Sequence, residues 1–184
     1  MNIINKNHAT YFNIPGLKNS GPEHWQSIWE IKNSYKFNRI QQKNWETPDM
    51  IAWTSQLEET YRTISERFNE IILIGHSIGC ATIVHWANLH QRSIRGAMLV
   101  APSDPEQESY PSYITGFAPL PKNKLPFPSI VVASTNDHVV SPQRARYFAD
   151  CWGSQYYEIA NAGHFEPKSG IGDFAEGLKL LETL

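Results

Sequence analysis

The 184-residue sequence predicts an α/β domain in which a mostly parallel sheet is covered by helices on both faces. Two observations lead to this prediction. Short apolar runs bounded by turn residues alternate with helical patterns along the chain. Three of these runs, over 71–74, 97–101 and 130–133, are continuously apolar, as strands buried on both faces must be. We assign them to the central strands of the sheet.

Two strands and two helices are predicted before the first central strand. A strand over 10–14 ends at Pro15-Gly16, and a helix begins near Pro22, since proline fits a first helical turn, where its missing N–H is not needed. A second strand covers 35–40. A longer helix follows, with Thr47 as its cap and Asp49 in the first turn. Its core-facing stripe consists of Trp53, Leu57, Tyr61, Ile64 and Phe68.

The C-terminal half predicts a long connection followed by two helices and a strand. About 28 residues over 102–129 are rich in Pro, Tyr and Phe, and a connection of that length is usually functional or contains a short helix. A helix that includes Arg144 and Phe148 precedes a strand over 155–159. The final helix carries Phe174, Leu178 and Leu181. With no internal repeat and no linker, we expect residues 1–184 to form a single domain.

Composition and charge exclude several classes of function. The 16 basic and 18 acidic residues give a net charge of −2 and no basic stripe, so nucleic acid is not an expected partner. The two cysteines, Cys80 and Cys151, form neither a C-x-x-C pair nor a zinc-ligand spacing, and we expect no metal and no cofactor. Without a signal sequence or an apolar run of roughly 20 residues, we expect a cytoplasmic protein with no membrane span.

A nucleophile motif follows the first central strand directly. Residues 75–79 read Gly-His-Ser-Ile-Gly, and a helical pattern comes next. This is G-x-S-x-G between a strand and a helix, the context in which the serine sits on a strained turn with its hydroxyl exposed. The two glycines allow the helix and the strand to approach each other. The motif predicts that Ser77 is the nucleophile of an α/β-hydrolase fold.

A serine nucleophile needs a histidine base and an acid that orients it, in the chain order Ser, acid, His. Asp137 follows the strand over 130–133, and His164 lies in a Gly-flanked loop after the last strand. Catalytic groups gather at such strand ends in parallel sheets. His138 remains the main competitor as base, and Asp104 remains the rival acid. Asp137 and His164 could also have purely structural roles. Asp137 would then cap the following helix, and His164 would be a surface or capping residue.

An acyl-transfer reaction also needs two backbone N–H groups to bind the developing oxyanion. One comes from the residue after the nucleophile, which is Ile78. The other is expected from the Pro15-Gly16-Leu17 turn after the first strand, most simply the N–H of Leu17. A Pro-Gly turn is common, so its spacing alone does not establish this role.

The chain resembles the small serine-hydrolase family typified by retinoblastoma-binding protein nine and YdeN, and its bacterial branch especially. The resemblance covers nearly all residues from about 10 onward. The matching segments are Ile-Pro-Gly-Leu at 14–17, Asn-Ser-Gly-Pro-Glu-His-Trp-Gln at 19–26, Leu-Ile-Gly-His-Ser-Ile-Gly-Cys at 73–80, Pro-Leu-Pro at 119–121, Leu-Pro-Phe-Pro-Ser at 125–129, Ala133-Ser134 through Asn136-Asp137, and Ala-Gly-His at 162–164. One departure is Phe165-Glu166-Pro167, where the bacterial branch is expected to be more polar, and it bears on the local shape of the pocket.

This resemblance implies a compact hydrolase without a large cap domain, with the triad Ser77, Asp137 and His164. It implies that Leu17 lies at the oxyanion hole. It also implies that three further residues lie near the site as substrate-binding groups, namely Asn19, His24 and Trp25.

The predicted reaction is hydrolysis of a small ester, with thioesters and amides as the other candidates, through an acyl-enzyme intermediate and without a cofactor. The expected partner is a small-molecule acyl substrate. Two alternatives remain open. One is a catalytically weak module that binds a protein through the aromatic and proline-rich residues 110–127. The other is acyl transfer to an acceptor other than water.

Overall fold

All strands of the described residues, 9–184 of this computed structural model, lie in one six-stranded parallel sheet. In chain order they are β1 Thr10–Ile14, β2 Phe37–Arg39, β3 Ile71–His76, β4 Gly96–Val100, β5 Ser129–Ser134 and β6 Gln155–Ile159. Across the sheet their order is β2-β1-β3-β4-β5-β6. The three predicted central strands are β3, β4 and β5, whose residues are all buried. The predicted α/β class is confirmed.

Helices cover both faces of this sheet and create two separate apolar cores. On one face, α1 (Trp25–Lys32) and α5 (Ala175–Leu181) pack around the rings of Trp25, Trp29 and Phe174. On the other face lie α2 (Met50–Ser65), α3 (Ile78–His90) and α4 (Pro142–Trp152). The arrangement is that of an α/β-hydrolase fold without a large cap. No helix in residues 9–184 is both long enough and apolar enough to cross a membrane.

Two predicted helix starts are wrong. The first helix begins at Trp25 rather than near Pro22, because the preceding loop runs on to His24, whose ring accepts a hydrogen bond from the Gln26 N–H at 3.3 Å. The second helix is capped by Asp49 and not by Thr47. The Asp49 carboxylate accepts from the Ala52 N–H at 3.0 Å, which satisfies one of the unpaired donors of the first turn.

Element ends differ from the predictions in smaller ways. β2 is shorter than the predicted 35–40, and Phe68 lies beyond the end of α2 although its ring still packs against the same core. Phe174 caps α5 instead of lying within it, with a φ of +48°. His8, which precedes β1 in the sequence, lies outside the described residues.

The connection over 102–129 contains neither a helix nor a strand of its own. It is nevertheless well anchored, because four of its apolar side chains are buried in the core beside α3 and α4: Phe117, Leu120, Leu125 and Phe127. The His85 ring donates to the Phe117 carbonyl oxygen at 2.9 Å, and the Trp152 indole N–H donates to the Pro121 carbonyl oxygen at 2.8 Å. The connection forms a fixed wall over the carboxyl ends of the strands.

Candidate active site

Ser77 occupies a sharp turn between β3 and α3. Its backbone has φ +53° and ψ −121°, a conformation that residues with a side chain rarely adopt. Its backbone forms three hydrogen bonds: the Ser77 N–H donates to Val100 O at 3.0 Å, and Ser77 O accepts from the N–H groups of Cys80 at 3.0 Å and of Ser103 at 3.3 Å. Tertiary contacts to β4 and the residues after it therefore stabilise the strained turn that presents the hydroxyl.

The glycines at 75 and 79 are required by close backbone approach. A Cβ added at Gly79 would lie 2.0 Å from the Ile14 carbonyl oxygen, and one added at Gly75 would lie 2.8 Å from the Cys80 backbone nitrogen. Helix α3 thus passes directly against the end of β1 and close to β3. This packing explains why the motif has glycine at both positions, and it agrees with the predicted close approach of helix and strand.

The side chains of Asp137 and His164 are hydrogen-bonded to each other beyond the ends of β5 and β6. His164 Nδ1 lies 3.0 Å from Asp137 Oδ1 and 2.9 Å from Oδ2. The Asp137 side chain has no exposed surface, and the N–H groups of Val139 and Val140 also donate to Oδ1, at 2.7 and 3.3 Å. A carboxylate that receives these donors favours the tautomer with a proton on Nδ1 of His164, which leaves Nε2 available as a base.

The rival acid, Asp104, is committed elsewhere. Its carboxylate accepts from Arg144 Nε at 2.6 Å and from Arg144 Nη2 at 3.3 Å, which ties the connection over 102–129 to α4. Arg144 also donates to Glu106 at 2.6 Å. Ser141, not Asp137, caps α4. The geometry therefore joins His164 to Asp137.

Ser77 and His164 line the same cavity, of about 520 Å³, but the hydroxyl forms no hydrogen bond with any described residue. Catalytic hydrogen bonds are often long in the absence of substrate and tighten when it binds.

His138, the competing base, also lines this cavity. Its ring packs edge-on against His164 at a centroid distance of 5.8 Å, and its side chain is 59% exposed. It lies at the mouth of the cavity.

Two buried donors hold the backbone around His164. The His76 ring donates from Nε2 to His164 O at 2.8 Å, and the Trp25 indole donates to Phe165 O at 3.1 Å. Burial lowers the pKa of His76 well below its usual value, so the ring is neutral. Phe165 itself has a positive φ of +54°, and such a conformation persists only where surrounding contacts impose it.

Trp25 therefore does not occupy the position expected of a substrate-binding residue. Its ring is fully buried between Trp29, Phe174 and His76, and it does not line the cavity. The ring is packed in the apolar core formed by α1 and α5, and only its N–H reaches the loop that carries His164. Trp25 therefore supports the backbone of this loop without lining the cavity.

The candidate oxyanion donors, Leu17 and Ile78, line the same cavity as Ser77. Among the described residues, neither N–H donates to a backbone carbonyl, so both donors are free for a ligand. A Cβ at Gly16 would lie 3.0 Å from Ser77 Cβ. The loop of residues 16–20, which we call the oxyanion loop, thus runs directly beside the nucleophile.

Asn19 and His24 line the same part of the cavity. Asn19 Oδ1 accepts from the Ser20 N–H and from Arg39 Nη1, each at 2.8 Å, so the side chain folds back on its own loop. His24 is 5% exposed, and burial together with the Arg39 charge lowers its pKa to about 4. Because its Nδ1 accepts from Gln26, the proton of the neutral ring is on Nε2. In the described part of the chain, this N–H has no partner.

The opposite wall of the cavity comes from the connection over 102–129 and from the residues after His164. These are Ser103, Gln107, Ser109, Tyr110, Pro111, Ile114, Glu166 and Pro167. Desolvation raises the pKa of Tyr110 to about 12, so its hydroxyl is neutral. Glu166 and Pro167, which depart from the expected polar stretch, do shape the rim of the cavity. Among residues 9–184, no three His, Cys, Asp or Glu side chains converge as a metal site.

Sequence reasoning missed His76 as part of the site. It lies next to Ser77 but was not among the candidate catalytic or binding residues. It does contact the site, through a backbone oxygen 88 residues along the chain. The only available signal was its place within the motif. Cys80, which follows the motif, is buried, and burial raises the pKa of its thiol well above the usual value.

Comparisons with known proteins agree with this fold. The chain is 34% identical to a YdeN-like hydrolase from Pectobacterium atrosepticum, with 95% of this chain and 89% of that chain covered and a TM-score of 0.80. The ydeN gene product of B. subtilis is 19% identical, with 96% and 98% covered and a TM-score of 0.76.

A more distant fold neighbour is Est1E from Butyrivibrio proteoclasticus in complex with ferulic acid. It is 13% identical, with 95% and 89% covered and a TM-score of 0.71. None of the curated proteins compared with the chain matches it. The family described as Serine hydrolase matches residues 11–183, which is almost the whole chain. The resemblance identified in the sequence is thereby confirmed, and the chain belongs to this family of serine hydrolases.

Proposed function

We propose that this enzyme hydrolyses a small carboxylic ester through an acyl-enzyme formed on Ser77, with His164 as general base and acid and Asp137 as the acid of the triad. The observation that carries the proposal is the placement of a strained serine and a carboxylate-bound histidine in one cavity. Its volume, about 520 Å³, is in the range of sites that bind small molecules.

The proposed chemistry uses the Ser77 hydroxyl, His164 Nε2 and two backbone N–H groups. Ser77 Oγ adds to the ester carbonyl carbon while His164 Nε2 takes the hydroxyl proton, and the N–H groups of Leu17 and Ile78 bind the resulting oxyanion. Collapse of this intermediate breaks the bond to the leaving alkoxide, which receives the proton from His164. Water then attacks the acyl-enzyme in the same way and releases the carboxylic acid. Asp137 stabilises the imidazolium in both halves.

His24 and Asn19 are proposed to bind the substrate beside the oxyanion hole. A buried N–H without a partner is costly, and a substrate oxygen that accepts from His24 Nε2 would remove that cost. Because the His24 ring is neutral above its pKa of about 4, it would recognise an uncharged acceptor such as a hydroxyl or carbonyl oxygen. Esters that carry such an oxygen near the scissile bond are the first substrates to screen.

Reaction with a phosphonylating serine probe tests the proposal directly. We expect one covalent adduct on Ser77, no adduct on the Ser77→Ala variant, and slow reaction of the His164→Ala variant, since the serine then lacks its base. Ser112→Ala serves as the matched control, because this exposed serine does not line the cavity and is expected to leave labelling unchanged. A well-folded protein that forms no adduct would favour the binding-module alternative.

Hydrolysis and acyl transfer use the same residues and are separated by their products. With an ester that acylates Ser77, a competing alcohol or amine should leave the carboxylic acid as the main product if water is the acceptor. A predominance of the new ester or amide would instead indicate acyl transfer.

A further inference from the structure

Arg39, at the end of β2, is the centre of a polar cluster behind the oxyanion loop. Its side chain is only 12% exposed. Nη1 donates to Asn19 Oδ1 at 2.8 Å and to Ser20 O at 2.9 Å, while Nη2 donates to Ser27 Oγ at 2.7 Å. Nε donates to both carboxylate oxygens of Glu30 at 3.1 Å. One guanidinium therefore connects the oxyanion loop to helix α1.

The oxyanion loop needs such an anchor because its backbone is strained. Lys18 and Asn19 have φ values of +63° and +64°, and neither is a glycine. Residues in this region keep their conformation only where surrounding contacts impose it. The Lys18 N–H donates to Trp45 O at 2.9 Å and the Asn19 N–H donates to Gly16 O at 3.2 Å. Ser20 is also held by α1: its hydroxyl donates to Gln26 Oε1 at 2.7 Å, and the Ser27 hydroxyl donates to Ser20 O at 2.8 Å. Arg39 adds the bonds to Asn19 Oδ1 and Ser20 O and is the charged group among these contacts.

The charge of Arg39 is balanced within the protein and does not face the substrate. Glu30 lies 2.9 Å from Nη2, and its Oε1 also accepts from Asn13 Nδ2 at 2.8 Å. Arg39 does not line the cavity. A direct role in substrate binding is thus disfavoured, and the geometry of the donors becomes the relevant property. The guanidinium holds its N–H donors in a rigid plane and can bind several acceptors at once. A lysine ammonium cannot reproduce this planar arrangement of donors.

We propose that Arg39, oriented by Glu30, is a positioning residue that fixes the oxyanion loop so that the Leu17 N–H meets the developing oxyanion. This inference rests on the proposed ester hydrolysis at Ser77. Because the donor acts on charge that develops in the transition state, its displacement should lower kcat and leave KM nearly unchanged. Displacements of about 1 Å in a reacting geometry cost on the order of 100-fold in rate.

The test compares Arg39→Met with wild type, using an ester that wild type hydrolyses and counting active sites by stoichiometric labelling of Ser77. We expect kcat per labelled site to fall by about 10- to 100-fold, with KM within about threefold. Arg39→Lys should fall between the two, since it keeps the charge but loses the fork of donors. Glu30→Gln should lower kcat in the same direction. Arg95→Met is the matched control: it removes an arginine that binds Glu70 and Leu184 instead.

A purely structural role for Arg39 would reduce the number of labelled sites without changing kcat for each site. That result, or a kcat of Arg39→Lys and Arg39→Met equal to wild type, would overturn the inference. If Arg39→Met does not fold, a kcat for Arg39→Lys within twofold of wild type is sufficient to overturn it. A wild-type protein that is folded but neither labelled nor active would refute the proposed function itself, and the role of Arg39 with it.

Discussion

Replacing Gly79 with alanine should damage both the fold and the reactivity of Ser77. The added Cβ would lie 2.0 Å from Ile14 O and 2.8 Å from Pro15 O, both backbone atoms that cannot rotate away. Relief of the first contact requires α3 and the end of β1 to separate by at least about 1 Å. Overpacking of this kind costs about 1–3 kcal/mol. The same displacement moves Ser77 relative to the oxyanion loop, which should slow its acylation by on the order of 100-fold.

Urea unfolding and the second-order rate of Ser77 phosphonylation measure the two effects of this substitution. Gly21→Ala is the control for stability, because a Cβ there would meet nothing within 4 Å. It should change the free energy of unfolding by less than about 0.5 kcal/mol. If Gly79→Ala were as stable and as reactive as wild type, the close approach of α3 to β1 could not be the reason for this glycine.

Three further outcomes are expected. Asp137→Asn should lower kcat by on the order of 10⁴, because the amide no longer favours the required tautomer, whereas Asp104→Asn should reduce stability and change kcat by less than about threefold; equal losses of kcat would contradict the assignment of the acid. Trp25→Phe keeps an aromatic ring but leaves Phe165 O without its buried donor, so urea unfolding should show a loss of about 1–3 kcal/mol, and an unchanged stability would refute this. The pKa of His24 is about 4 when folded and about 6.5 when unfolded, so the unfolded state binds the proton first as pH falls. Stability should therefore be full above about pH 6.5 and should fall by up to about 3 kcal/mol towards pH 4, with a shallower fall for His24→Gln in urea titrations; the same slope in both proteins would argue against this shift.

The sheet could be predicted from the sequence because its signal is local. A run of β-branched and apolar residues identifies a strand without any knowledge of its neighbours, as for β3 and β5. The elbow at Ser77 was equally accessible, since strand, motif and helix are contiguous in the chain. Helix starts were less accessible. Thr47 and Asp49 are both good caps, and only the hydrogen bond to Ala52 distinguishes them.

The choice between two acids could not be made from strand ends alone. Asp104 follows β4 and Asp137 follows β5, so both are at the edge of the sheet where catalytic groups gather. In the structure Arg144, 40 residues beyond Asp104, binds the Asp104 carboxylate, whereas His164 contacts Asp137. These contacts favour Asp137 as the acid. Sequence spacing does not predict this contact, because it depends on how α4 packs against the sheet and places Arg144 next to Asp104.

The contacts behind the site explain why most of its supporting residues are hidden from sequence reasoning. His76 and Trp25 donate to backbone carbonyl oxygens. Because every residue has a carbonyl oxygen, the residue type at the accepting position does not indicate that it is the partner. Arg39 acts in part through Ser20 O in the same way. All three supports come from α1, β2 and β3, whereas His164 and Asp137 come from the last third of the chain. Trp25, Arg39 and His76 are therefore expected to set the geometry in which the later residues react, and substitutions at these three positions should change kcat although the side chains do not bind the substrate.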